Sequence, residues 1–267
     1  MDSPSDGPST RASSSRSLRW RRPAACPEVT GLRPDSSPTA LLDRGHRATM
    51  AVMAGPTYDR MAPFYERLTN AYSLGCIPRA RQEQLTRILP GMRVLYVGIG
   101  PGSDALAAAE RGASVAGVDL STKMVEIASR RFAAAGQVAD LQAVDLFAYE
   151  PDDPYDAVVA NFLLDCFDDG ARPRVIERMW GFLRQGGTML ITDTGKPHGS
   201  FPARACWRIY HGVAFTTTWI QGITPWLPIM DLANDLVNAG FRVDDHLFHR
   251  PTRRGPVLFE SVVGVKP

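Results

Sequence analysis

The chain has 267 residues, of which 44% are hydrophobic, 22% charged and 9% aromatic, a composition that excludes collagen-like, wholly disordered and membrane-embedded chains. Lys and Arg number 30 against 28 Asp and Glu, a net charge of +2, too balanced for a nucleic-acid binder that works through a general basic field; no nucleic-acid partner is expected. Cys26, Cys76, Cys166 and Cys206 form neither a C-x-x-C pair nor a dense disulfide framework, so they read as reduced thiols of a cytoplasmic protein with no metal site.

Residues 1–49 are rich in Ser, Pro and Arg and hold eight arginines against five acids, a net of +3 that leaves the remainder at −1. They show no sustained apolar period and read as a disordered tail. Their five acids speak against an organelle transit peptide, and no apolar stretch suits a secretory signal. Met50 and Met53 stand where the composition changes, as they would after an upstream tail or a start codon called too early. Residues 50–267 are expected to form one domain. Near its start, Tyr58 and Tyr65 lie seven apart and share a face if that stretch is helical, although Pro63 between them favours a kink or a late helix start. They are expected to form a lid over the site.

From residue 93 onward, short β-branched runs alternate with helical patterns, as in a parallel sheet with crossover helices. The expected strands are Arg93 to Val97, Ser114 to Val118, Leu141 to Val144, Asp156 to Ala160 and, after Gly186-Gly187, Thr188 to Thr192. Helices are expected over Ser103 to Arg111, over Ser121 to about Ala135 with Ser121 as cap, over Arg172 to Leu183 and near Ile229 to Ala239. Phe241 to Phe248 and Val257 to Val265 follow with only a short turn between them, so they must pair antiparallel.

The first strand runs into Val97-Gly98-Ile99-Gly100-Pro101-Gly102, where the missing Cβ atoms let a ligand approach the backbone and the helix start offers N–H groups to it. A dinucleotide fingerprint needs glycine at the sixth position, which here is Ser103, so a nicotinamide- or flavin-dependent oxidoreductase is the disfavoured alternative. Asp119, at the end of the second strand, is placed to accept hydrogen bonds from both hydroxyls of a ribose.

Together with Val118-Asp119-Leu120-Ser121, Met124, Asp145-Leu146, Asp156 to Leu164 and Leu183-Arg184-Gln185-Gly186-Gly187, this series resembles the class I S-adenosylmethionine-dependent methyltransferases. Tyr58 to Tyr65 and Gly195-Lys196-Pro197 are similar to the ubiquinone/menaquinone C-methyltransferase group. The resemblance implies an α/β fold, Rossmann-like and doubly wound, with a mostly parallel seven-stranded sheet and an antiparallel C-terminal hairpin. It implies S-adenosyl-L-methionine as cofactor. Gly98, Gly100 and Gly102 would line its methionine and ribose part, and Asp119 would hold the ribose. Leu120 and Met124 would pack on the adenine, Asp145 and the backbone of Leu146 would bond it, Asn161 would face the sulfonium, and Tyr58 and Tyr65 would close over it. Many relatives carry an acid where this chain has Tyr96, to orient the ammonium end; a tyrosine cannot supply that charge at neutral pH. A binding relative without catalytic activity is therefore a third reading.

Methyl transfer is an in-line displacement that mainly needs positioning and a dry pocket, so an obvious base is not required. Candidates for that role are Tyr65, Asp165 and His211. Asp165 follows the fourth strand at its carboxyl end, where ligands of open α/β sheets bind, beside Cys166, read as a small buried hydrophobe. His211 stands among Trp207, Tyr210 and Phe215, and Asp165, Trp207, Tyr210 and His211 are the candidate substrate contacts. His246 and His249 read as surface residues. Residues 209–230 hold no Asp, Glu, Lys or Arg, yet Gly222, Pro225 and Pro228 oppose a membrane-spanning helix. A lid insertion at about 197–230 is expected instead, forming an apolar pocket for a small lipophilic acceptor such as a quinone, a lipid or a polyketide-like aromatic. Arg204 and Arg208 suggest peripheral membrane contact, and the apolar surface is also compatible with a homodimer.

Overall fold

Alternating β-branched and alanine-rich segments become strands and crossover helices in the structure, a computed structural model that describes residues 65–220 and 229–267, with backbone alone at 65–68, 217 and 218. In chain order these are α1 (Tyr65–Tyr72), α2 (Cys76–Leu85), β1 (Arg93–Val97), α3 (Ser103–Glu110), β2 (Ser114–Asp119), α4 (Thr122–Ala134), β3 (Asp140–Ala143) and β4 (Tyr155–Asn161). A short 3-10 turn (Leu164–Cys166) follows, then α5 (Arg172–Phe182), β5 (Leu183–Asp193), α6 (Phe201–Ile220), α7 (Leu232–Asn238), β6 (Arg242–His249) and β7 (Phe259–Val265).

The seven strands form one sheet in the order β3-β2-β1-β4-β5-β7-β6. Strands β1 to β5 pair parallel, and β7 runs antiparallel to both β5 and β6. The Rossmann-like mixed sheet and its terminal hairpin are thus as the sequence led us to expect. The order turns around at β1, which sends β2 and β3 to one side and β4 to the other and opens a crevice at the carboxyl ends.

The two-residue period of the strands feeds two cores. Leu95, Val97, Val158, Ala160, Met189 and Ile191 pack with Val175, Ile176 and Met179 of α5 and Leu232 and Leu236 of α7. Val94, Tyr96, Val115, Ala157, Val159 and Leu190 point to the other face, against Ala105, Ala108 and Ala109 of α3 and Ala128 and Phe132 of α4. Ser121 caps α4 as expected, its hydroxyl accepting from the Met124 N–H at 3.2 Å.

Three boundaries differ from expectation. Strand β5 starts at Leu183, directly off α5, because Leu183 already pairs with Tyr155; Gly186-Gly187 form a bulge inside the strand rather than a turn before it. Helix α7 begins at Leu232 rather than near Ile229. Within the segment read as a lid at about 197–230, residues 209–220 continue a helix that starts at Phe201, while residues 221–228 lie outside the described residues.

Candidate active site

The β1 carboxyl end turns sharply through the glycine loop because the loop is tied to its neighbour. The N–H groups of Gly98 and Ile99 both donate to the carbonyl of Val118, at 2.9 and 3.0 Å. Gly100 N–H donates to Asp119 Oδ2 at 2.8 Å, and Gly102 N–H donates to Ile99 O at 3.1 Å. These four amides of the loop are satisfied within the protein. What it offers a ligand is close approach to backbone. Asp119 Oδ1 accepts from Ser121 N–H at 2.9 Å, so both carboxylate oxygens are fixed in direction at the strand edge.

The crevice so formed spans roughly 870 Å³ with the open solvent at its mouth included. Gly98, Gly100, Asp119, Leu120, Leu146 and Asn161 all line it. Three other expected contacts do not. Gly102 sits at the start of α3 with φ 75°, where a Cβ would come 2.8 Å from that of Ala128, so it serves helix packing. Met124 is fully buried in the first turn of α4. Asp145 turns its Oδ1 onto Phe147 N–H at 2.8 Å and holds the turn that leads to Tyr149, while the neighbouring Val144 reaches the crevice. Tyr58 and the side chain of Tyr65 lie outside the described residues.

Two charged groups absent from the sequence reading line the crevice beside the glycine loop: Arg81 of α2 and Asp104 of α3. Arg81 Nε stands 3.2 Å from Asp104 Oδ2. Asn161 Nδ2 also donates to Asp104 Oδ2, at 3.1 Å, and exchanges two 2.9 Å hydrogen bonds with the Gln84 amide. Tyr96 lines the crevice too and donates its hydroxyl to the Asp104 carbonyl at 3.2 Å. Burial, and then the neighbouring Asp104, push its ionisation far up, so it is a neutral phenol at any physiological pH. Arg81 and Gln84 lie three apart on one helix, a spacing with no signature of its own; Asp104 had one available signal, its place two residues after Gly102.

Of the candidate proton-handling groups, Asp165 and His211 stand back from the crevice. Asp165 lies in the turn between Leu163 and Phe167, which do line it, with its own carboxyl buried and pushed up to about 6, chiefly by burial. The carboxyl of Asp193 beside it is also raised by burial and by the Asp165 charge, while accepting N–H bonds from Leu164, Asp165 and Thr194 at 3.0, 3.3 and 2.7 Å. Cys166 is buried, as expected, and its thiol is raised well above the usual range by burial.

His211 is fully buried; its Nε2 bonds the Leu258 carbonyl at 2.9 Å, so that nitrogen carries the proton and Nδ1 accepts from the Tyr72 hydroxyl at 2.7 Å. Burial lowers its pKa to about 4, and it is neutral at pH 7. Trp207 is fully buried 4.5 Å from the His211 ring, and Tyr210 stacks on Tyr72 at 5.0 Å. This aromatic group meets the crevice through Phe162, which lines it with φ 55° and touches Phe259 edge-on at 5.6 Å. A non-glycine residue held in the left-handed region is backbone strain kept at the site. His249, read as surface, is buried and bonded to Ser261 Oγ at 2.7 Å, because its side chain points to the sheet face under α2 rather than outward; His246 is half-buried on Glu260 at 2.8 Å. Among the described residues no cluster of His, Cys, Asp or Glu suits a metal ion.

Comparison with known proteins places these features. Residues 94–187 match the family model described as a methyltransferase domain. The chain is 28% identical over 264 residues, 88% of its own length, to tuberculostearic acid methyltransferase UfaA1 of Mycobacterium tuberculosis, and 31% identical over 150 residues, 54% of its length, to demethylmenaquinone methyltransferase of Thermus thermophilus. It covers 57% of the first relative and 67% of the second, so it spans little more than half the length of the former. Among solved structures, magnesium protoporphyrin IX methyltransferase (ChlM) from Synechocystis, crystallised with bound SAH, superposes with a TM-score of 0.60 at 17% identity, covering 83% of this chain and 100% of that one, and so shares the fold. The family model covers the segment that builds the glycine loop and Asp119, the Thermus relative is matched over two thirds of its own length, and the sheet order agrees with both: the chain belongs to the class I S-adenosylmethionine-dependent methyltransferases.

Proposed function

We propose that the protein transfers a methyl group from S-adenosylmethionine to a small lipophilic acceptor of the lipid or quinone type. The observation that carries the donor half is Asp119, whose two oxygens are each held in direction by a backbone N–H at the edge of a glycine-lined crevice, the place where a carboxylate meets the hydroxyls of a ribose. The cofactor's amino-acid end carries one positive and one negative charge, and Asp104 and Arg81 offer the complementary pair beside the loop. Leu120, Val144 and Leu146 supply an apolar seat for a base. Bound there, S-adenosylmethionine supplies an electrophilic methyl group.

The acceptor half is carried by the apolar wall of Phe162, Leu163 and Phe167 along the crevice, which excludes water from the reacting atoms. UfaA1 and the demethylmenaquinone methyltransferases are named for lipid and quinone substrates, which favours the same class here. His211 and Asp165 are turned into the protein rather than onto the crevice wall, and an acceptor that is acidic or carries its own lone pair needs neither of them as a base.

The substitution Asp119→Ala tests the donor half. It strips two charge-assisted hydrogen bonds and is expected to weaken S-adenosylhomocysteine binding by about a hundred-fold, a few kcal/mol, in isothermal titration. Unchanged affinity removes the assignment. Incubating a lipid extract with the protein and deuteromethyl cofactor, and searching by mass spectrometry for a labelled lipophilic product, tests the acceptor half; label found only in polar metabolites overturns it.

A further inference from the structure

Helix α6 is apolar on two opposite sides. One side carries Trp207, His211 and Phe215 at spacings of four, all buried against the body of the protein. The other carries Phe201, Ile209, Val213, Trp219 and Ile220, between 54% and 78% exposed. At 3.6 residues per turn these five fall within an arc of about 120°. Thr216, inside the same arc, donates its hydroxyl back to the Gly212 carbonyl at 2.6 Å, which leaves its methyl group on the surface. Large apolar side chains gathered on one outward face, rather than scattered singly, mark a contact surface.

Charge selects what it contacts. No Asp or Glu occurs from Thr194 to Met230; Arg208 is exposed at the border of the apolar arc, and Arg204 is exposed one turn before it. Their alkyl stems can lie along the apolar face while the guanidinium groups reach anionic headgroups. Three more exposed arginines, Arg250, Arg253 and Arg254, sit in the acid-free loop between β6 and β7, at the same carboxyl edge of the sheet as the crevice; the His211 bond to Leu258 ties α6 to that loop. Among the described residues no helix is long and apolar enough to cross a membrane, so the geometry is that of a helix lying on a surface.

We propose that the outward face of α6 rests on an anionic lipid surface and presents the crevice edge of the sheet to acceptors dissolved in that lipid. The lipid contact goes beyond the methyl-transfer reading, and only its purpose, access to acceptors, rests on that reading. The full-length chain is mixed with vesicles of phosphatidylcholine containing about one-third phosphatidylglycerol, or with phosphatidylcholine alone, and bound protein is measured by flotation. Binding to the anionic vesicles is expected, lost in the double variant Ile209→Asp, Val213→Asp. It should weaken about five-fold for each of Arg204→Ala and Arg208→Ala, and with added salt. Absence of binding by the unaltered chain, or binding indifferent to both sets of variants, overturns the proposal. So does a dimer in sedimentation velocity that the aspartate variant dissociates while vesicles capture nothing. Thermal unfolding and S-adenosylhomocysteine affinity are measured on every variant. Both are expected to match the unaltered chain, whereas an unaltered chain that binds vesicles but not S-adenosylhomocysteine counts against the methyl-transfer reading alone.

Discussion

Tyr96 occupies a position where the resemblance led us to expect an acid, and its neutral phenol is spent on the Asp104 carbonyl. The negative charge near the glycine loop comes instead from the Asp104 side chain, held by Arg81 and Asn161. Asp104→Asn is therefore expected to weaken S-adenosylhomocysteine binding about ten-fold, whereas Tyr96→Phe should change it by less than about three-fold, both read by isothermal titration. The reverse ranking would return the role to Tyr96. Gly98, Gly100, Asp119 and Asn161 were legible in the sequence because each stands at a strand end or in the loop that follows, a placement fixed locally. Arg81 and Gln84 were not: Gln84 meets Asn161 across 77 positions, and nothing near either residue announces the pairing. Met124 was misplaced because an apolar residue after a ribose-side acid looks the same in sequence whether it faces a base or the core.

At the scale of the element, the glycine loop divides its labour. A Cβ at Gly100 would meet nothing within 4 Å, while at Gly102 it would press on Ala128 of α4 from a backbone with φ 75°. Gly102→Ala is expected to cost about 2–4 kcal/mol in urea unfolding, strain and overpacking combined. Gly100→Ala should cost about 1 kcal/mol of strain and act mainly on ligand affinity. Equal destabilisation by the two would contradict this division. Strands β1, β2 and β4 were readable because buried parallel strands leave compact β-branched runs between helical segments. The start of β5 was not, since Gly186-Gly187 signal a break in sequence and the bulge they form is visible only once Leu183 pairs with Tyr155. Helix α6 was obscured by an apolar composition that fits a lid, a core helix or a surface helix equally well.

Across the whole molecule, polar side chains link the crevice to the far side of the sheet. Asp104, Asn161, Gln84, Thr192, Ser261 and His249 form one hydrogen-bonded chain drawn from two helices and four strands. Burial, with the Arg79 charge second, lowers His249 from 6.5 to about 4. Between those values the unfolded chain takes up a proton that the folded one refuses, so stability present above pH 6.5 is lost as the pH falls toward 4. Asp165, raised from 3.8 to about 6, works in the opposite direction over the lower part of that range. The cleanest measurement is thus a difference: the stability gap between the unaltered chain and His249→Gln should shrink by about 3 kcal/mol between about pH 7 and about pH 4 in urea unfolding. A gap independent of pH would mean that folding does not depress the titration of this imidazole.

Strand β7 lies between β5 and β6 although it follows both in the chain. During synthesis β6 leaves the ribosome with no neighbour to bind, and β5 keeps an open edge until Phe259–Val265 emerges. A nascent chain stalled before Phe259 exposes two sticky borders at once. Completion of this sheet is a late event, and premature termination there should yield aggregates rather than a smaller enzyme.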